Sequence, residues 1–153
     1  MAIMTVYHGG YQAVEKTEIR KGRNTKDFGT GFYCTIIKEQ AQRWARRYDT
    51  KVVSVYDVYL KPDLKIKEFK DMTEEWLDFI MNCRREKDDS DYDIVMGGVA
   101  NDKVFNTVEL YFDQLIDKNE AISRLKYEKP NMQICFRTEE SLEHLHYERS
   151  FEV

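Results

Sequence analysis

Apolar and polar residues alternate over residues 51–60, with Val53, Val55 and Tyr59 on one parity, and this spacing predicts a β-strand closed by Pro62. A β-branched apolar run at residues 2–8 predicts a first strand, broken by Gly9 and Gly10. Further strands are expected at residues 31–35, 64–69, 92–96, 132–136 and 146–152; Gly97-Gly98 stops the third of these five. Helical spacing appears in Ile37, Ala41, Trp44, Ala45 and Tyr48, which predicts a helix to about residue 48. Trp76, Leu77, Phe79, Ile80 and Cys83 give residues 74–84 a broad apolar face, and Asp71 or Thr73 is placed to cap it. Residues 99–114, 118–126 and 138–145 read as three more helices, the last opened by Thr138. Residues 11–26 are polar and read as a long surface loop with a short extended piece at 14–19.

Strands and helices interleave without the regular connection lengths of parallel βαβ units. A single α+β domain over residues 1–153, with a mostly antiparallel β core and flanking helices, is therefore expected. A length of 153 residues suits one core, and ten Tyr with eight Phe supply enough large side chains to build it. The formal charge of −4 argues against broad, sequence-independent nucleic-acid binding, which needs a basic face. Arg43, Arg46 and Arg47 leave room for a local basic patch.

Cys34, Cys83 and Cys135 are odd in number and widely spaced, so free thiols in a reducing compartment are expected and a metal site is not. The start of the chain shows no secretion signal, and no apolar run reaches membrane-spanning length, so a cytoplasmic protein without a membrane partner is expected.

The stretch with the most chemical character is Lys26-Asp27-Phe28-Gly29-Thr30-Gly31-Phe32-Tyr33-Cys34-Thr35. Two glycines around a threonine allow a tight bend and close approach of the backbone to a ligand. By itself the pattern also fits a loop feeding a half-buried strand. His8, at a strand end beside two glycines, is likewise either a structural residue or a ligand contact.

Taken together, Tyr7-His8-Gly9, then Asp27-Phe28-Gly29-Thr30-Gly31-Phe32-Tyr33-Cys34-Thr35, then Gln40-Ala41 with Trp44-Ala45 resemble the ADP-ribosyltransferase superfamily. The likeness is to its diphtheria-toxin and poly(ADP-ribose)-polymerase-like branch, which carries a His–Tyr–Glu triad. Closer still is the likeness to a family of small, uncharacterised bacterial domains assigned to that superfamily. Residues 75–80 and 92–97 extend it over most of the chain.

The resemblance implies a split α+β fold and an NAD-dependent mono-ADP-ribosyltransferase. NAD would be the co-substrate, with no metal, and the acceptor is an unknown macromolecule. Small free-standing domains of this kind resemble intracellular toxins paired with a small antitoxin protein. His8 would bond a ribose hydroxyl, the Gly9 backbone would pin the nicotinamide carboxamide, and Tyr33 would stack on the nicotinamide ring. Gly31 and Phe32 belong to the same wall. Phe32 and Tyr33 must leave the strand on opposite faces, so only one of them faces the ligand.

The third triad position falls on Gln133, where the branch has glutamate. An amide still bonds a ribose hydroxyl but lacks the charge that favours an oxocarbenium-like transition state. This favours single transfer over chain elongation. It also sustains an alternative, a catalytically weak NAD- or ADP-ribose-binding module acting through a partner. Asp27, Asn82, Arg84, Asp93, Asn101 and Asp102 are the other polar residues of the family-like blocks. Arg84 matches a pyrophosphate. Asp102 either caps the helix after the double glycine or acts as a base for the acceptor.

Overall fold

A computed structural model describes residues 3–19, 27–61, 63–100, 102–125 and 131–153. In chain order these form β1 (Ile3–Gly10), β2 (Phe32–Cys34), α1 (Lys38–Ala45), β3 (Val52–Tyr59), β4 (Ile66–Glu68) and α2 (Glu74–Arg84). There follow β5 (Ile94–Gly97), α3 (Asp102–Phe112), α4 (Lys118–Leu125), β6 (Gln133–Phe136), α5 (Glu139–Leu142) and β7 (Leu145–Glu152). One sheet has the order β1-β3-β7 and is antiparallel throughout. The other has the order β2-β6-β5-β4, antiparallel except where β4 runs parallel to β5. The fold is α+β with mostly antiparallel strands, as the interleaving suggests.

Strand alternation sorts the apolar residues into layers. Val6, Tyr56, Val58 and Leu145 of the first sheet meet Phe32, Ile94, Ile134 and Phe136 of the second, so one core lies between the sheets. Val95 and Cys135 point from the second sheet's other face into a second core, covered by Trp76, Leu77, Ile80, Val104, Val108 and Ala121 of α2, α3 and α4. Helix α1 packs Ala41 and Ala45 on Val53, on the outer face of the first sheet.

Three local departures from the expected elements have physical causes. Gly9 and Gly10 do not end β1; they pair with Val53 and Val52. A Cβ at Gly9 would overlap the Ala41 carbonyl oxygen and lie 3.0 Å from the Ala45 nitrogen, so glycine is there to let α1 cross closely. Residues 14–19 form no strand. Side chains of β3 satisfy that backbone instead: the Val14 N–H donates to Ser54 Oγ (3.0 Å) and the Tyr56 hydroxyl donates to the Val14 carbonyl (2.6 Å). The last helix is one turn long and β7 begins at Leu145, although its start is a full capping box between Thr138 and Ser141.

Candidate functional site

Among the described residues, one isolated main-chain bridge joins the two sheets, between Tyr7 of β1 and Thr35 just after β2. Tyr7 N–H donates to the Thr35 carbonyl (2.8 Å) and Thr35 N–H to the Tyr7 carbonyl (2.9 Å). Continuing that antiparallel register would set Gly9 against Tyr33. No such bridge forms; the strands part at this point. The alternation of peptide directions then turns the Gly9 N–H and carbonyl toward β2, away from β3. No main-chain partner meets them there among the described residues.

His8 reaches across to β2 where the strands part. Its Nδ1 lies 2.7 Å from the Tyr33 carbonyl oxygen, which can only accept, so Nδ1 carries the proton. In the neutral ring this fixes the tautomer and makes Nε2 the acceptor. The imidazole stacks on Phe32 with ring centroids 4.3 Å apart and an interplanar angle of 21°.

Phe32 and Tyr33 do leave β2 on opposite faces. Phe32 is the ring beside His8, in the core between the sheets, whereas Tyr33 is directed to the helix-covered face. The Tyr33 hydroxyl donates to the Gly29 carbonyl (2.6 Å) and accepts from the Phe28 N–H (3.1 Å), closing the glycine turn. Burial pushes this phenol well above its ordinary range, so it stays protonated and acts as a strut. Gly29 itself has φ 83°, a conformation that favours glycine. A Cβ on Gly31 would overlap Cys135 Sγ and approach the Phe136 carbonyl oxygen to 2.7 Å; this glycine serves strand packing.

Gln133 begins β6 and shares the helix-side face with Cys135, the residue paired with Tyr33. It is buried, and its Nε2 donates to Asp27 Oδ2 (3.0 Å) and to the Gly98 carbonyl (3.3 Å). Asp27 is buried too and anchors a hub. Its Oδ2 also accepts from the Ala100 N–H (2.8 Å), and its Oδ1 accepts from Arg84 Nε (2.8 Å) and from an Arg84 Nη. The Arg84 guanidinium is thus paired with the Asp27 carboxylate. Asp102 stands at the start of α3, and its side chain lies outside the described residues.

Two further amides fix the entry to β6. Gln40 of α1 donates to the Met132 carbonyl (2.9 Å) and accepts from the Met132 N–H (3.2 Å). Asn131 bonds the Val99 N–H (2.7 Å) and carbonyl (3.3 Å). Their partners lie 92 and 32 residues away in sequence, so no local spacing reveals them. Asp27, by contrast, stands within the glycine-turn motif and is visible there as a candidate.

Below the turn, a cavity of about 400 Å³ is lined by Gly29, Thr30, Asp88, Ser90, Tyr92 and Arg137, among others. Arg137 pairs with Asp88 in its wall. Among the described residues no group of three or more His, Cys, Asp or Glu is arranged to hold a metal. Nor is any described helix long and apolar enough to cross a membrane.

An α+β domain split between two sheets, with a histidine and an open glycine peptide at the split, is the class that fold and site define. Residues 4–147 match a family described as "Protein of unknown function (DUF3990)", and the chain belongs to that family. No curated protein and no solved structure matches it.

Proposed function

We propose that the chain is an NAD-dependent mono-ADP-ribosyltransferase acting in the cytoplasm, as the toxin of a toxin–antitoxin pair. The observation that carries this reading is the split at Gly9: one N–H donor and one carbonyl acceptor side by side on an open strand edge. That pair is the complement of a primary carboxamide, which nicotinamide bears. His8 Nε2, held as an acceptor by the Nδ1 bond to Tyr33, suits a ribose hydroxyl. The half-buried Tyr33 ring, fixed through its hydroxyl, offers a rigid face for a flat cationic ring, worth about 0.5 to 2 kcal/mol. NAD supplies a nicotinamide leaving group on an anomeric carbon, which an acceptor nucleophile replaces. In this reading Arg84 supports Asp27 and takes no pyrophosphate.

The bland alternative is an NAD- or ADP-ribose-binding module. It is favoured by one observation, that the third position holds a neutral amide in place of a carboxylate. Nicotinamide release from NAD, with and without cell lysate, decides between the two. Release that depends on His8 supports the transferase. Binding of NAD without release supports the module, and neither binding nor release removes both.

A further inference from the structure

We infer that Asp27 is a positioning residue that sets which end of the Gln133 amide faces the ligand. The inference rests on the ADP-ribosyl reading above, in which Gln133 meets a ribose hydroxyl. A carboxylate only accepts hydrogen bonds, so the Gln133 end nearest Asp27 Oδ2 must be the NH₂ group. The Gly98 carbonyl, at 3.3 Å, makes the same demand of the second N–H. Both donors are then occupied, and the Oε1 acceptor is turned the other way. Among the described residues no hydrogen bond reaches Oε1, although Gln133 is only 5% exposed. A buried acceptor without a partner is ready for a hydroxyl donor.

Asp27 is itself held in one orientation. Arg84 takes Oδ1, while the Ala100 N–H and Gln133 share Oδ2. The negative charge that a glutamate would carry at position 133 therefore sits one hydrogen bond behind it, at Asp27. This explains how an amide serves at that position: the carboxylate polarises it and forbids the flipped rotamer.

The test is an exchange of the two groups. In Asp27→Asn, the two charged Arg84 donors hold the Asn oxygen on their side against the single Ala100 N–H, so the Asn NH₂ faces Gln133. The glutamine then flips and presents a donor where the ribose hydroxyl needs an acceptor. Nicotinamide release should fall about a hundredfold in kcat with KM for NAD changed less than threefold. Gln133→Glu alone places two carboxylates in contact, which cannot both ionise, and should be slow near pH 7. The double variant Asp27→Asn/Gln133→Glu restores an outward acceptor and should recover at least tenfold over either single variant.

Melting temperatures of all four proteins show whether each is folded. The Gln133 side-chain ¹⁵N–¹H signals, protected from exchange in the wild type, should lose that protection or shift in Asp27→Asn. Asp27→Asn turning over at the wild-type rate overturns the inference and leaves the ADP-ribosyl reading intact. So does a folded double variant no faster than the single ones. A wild-type chain that neither binds nor cleaves NAD overturns both.

Discussion

His8 Nδ1 lies 2.7 Å from the carbonyl oxygen of Tyr33, although the two residues are 25 positions apart. The imidazole takes up the Tyr33 carbonyl, which a further rung of a β1–β2 ladder would otherwise use. It joins the His-Gly motif to the glycine-turn motif through this bond and the Phe32 stack.

This double duty can be separated. Asn at position 8 keeps a donor near the Nδ1 position but has nothing at Nε2. His8→Asn should stay folded, losing about 0.5 to 1.5 kcal/mol with the Phe32 stack. Nicotinamide release should drop at least tenfold. Turnover equal to wild type would remove His8 from the site.

Glycine substitutions should fall into two groups. Gly9→Ala and Gly31→Ala both drive a Cβ into backbone or sulfur atoms and should cost about 1 to 3 kcal/mol or more. Gly10→Ala meets nothing closer than His8 Nε2 at 3.5 Å and should be tolerated. Urea unfolding of the three variants checks the order, and a loss at Gly9 no larger than that at Gly10 would show that α1 yields to the added methyl group.

Arg84→Met removes the cation from a pair in which the Asp27 side chain is only 7% exposed. The buried carboxylate left behind should cost about 3 to 5 kcal/mol. Asp27→Asn added to Arg84→Met should return part of that loss. A double variant that loses as much as the two single ones together would show that the pair is not the coupling element.

Alkaline pH should weaken the fold. Burial raises the Cys34 thiol well above its ordinary value, pushes Cys83 up to about 12, and raises the Tyr33 and Tyr56 phenols. The unfolded chain loses these protons first, so the folded state binds more of them and stability falls as pH rises above about 9. A drop of about 2 kcal/mol or more is expected between pH 8 and 10.5. A thiol reagent at pH 8 should find almost none of the three buried cysteines before urea is added. Rapid labelling of the folded protein would contradict this.

Much of the fold is legible in the sequence because its elements carry strong local periodicity. Residues 74–84 show a broad apolar face and a Thr73 cap, and α2 spans those residues. β3 and β6 lie within a residue or so of their expected ends. The reason for Gly9 was not legible, because the atoms that demand it belong to α1, 32 and 36 residues further on. Nor was the Asp27 hub: its partners at positions 84, 100 and 133 meet only when the second sheet and α2 are in place. Alternation placed Phe32 and Tyr33 on opposite faces. Only the fold shows that His8 lies with Phe32.

The open peptide at Gly9 has a practical consequence for anyone mapping this region by mutation. In the proposed reading, recognition there falls to main-chain atoms, which every residue type shares. A scan that trims side chains one at a time would pass over it. At Gly9 any replacement strikes α1 before it could report on a ligand. Replacing the amide by an ester at residue 9, or at residue 10, removes the donor or weakens the acceptor and leaves every side chain in place.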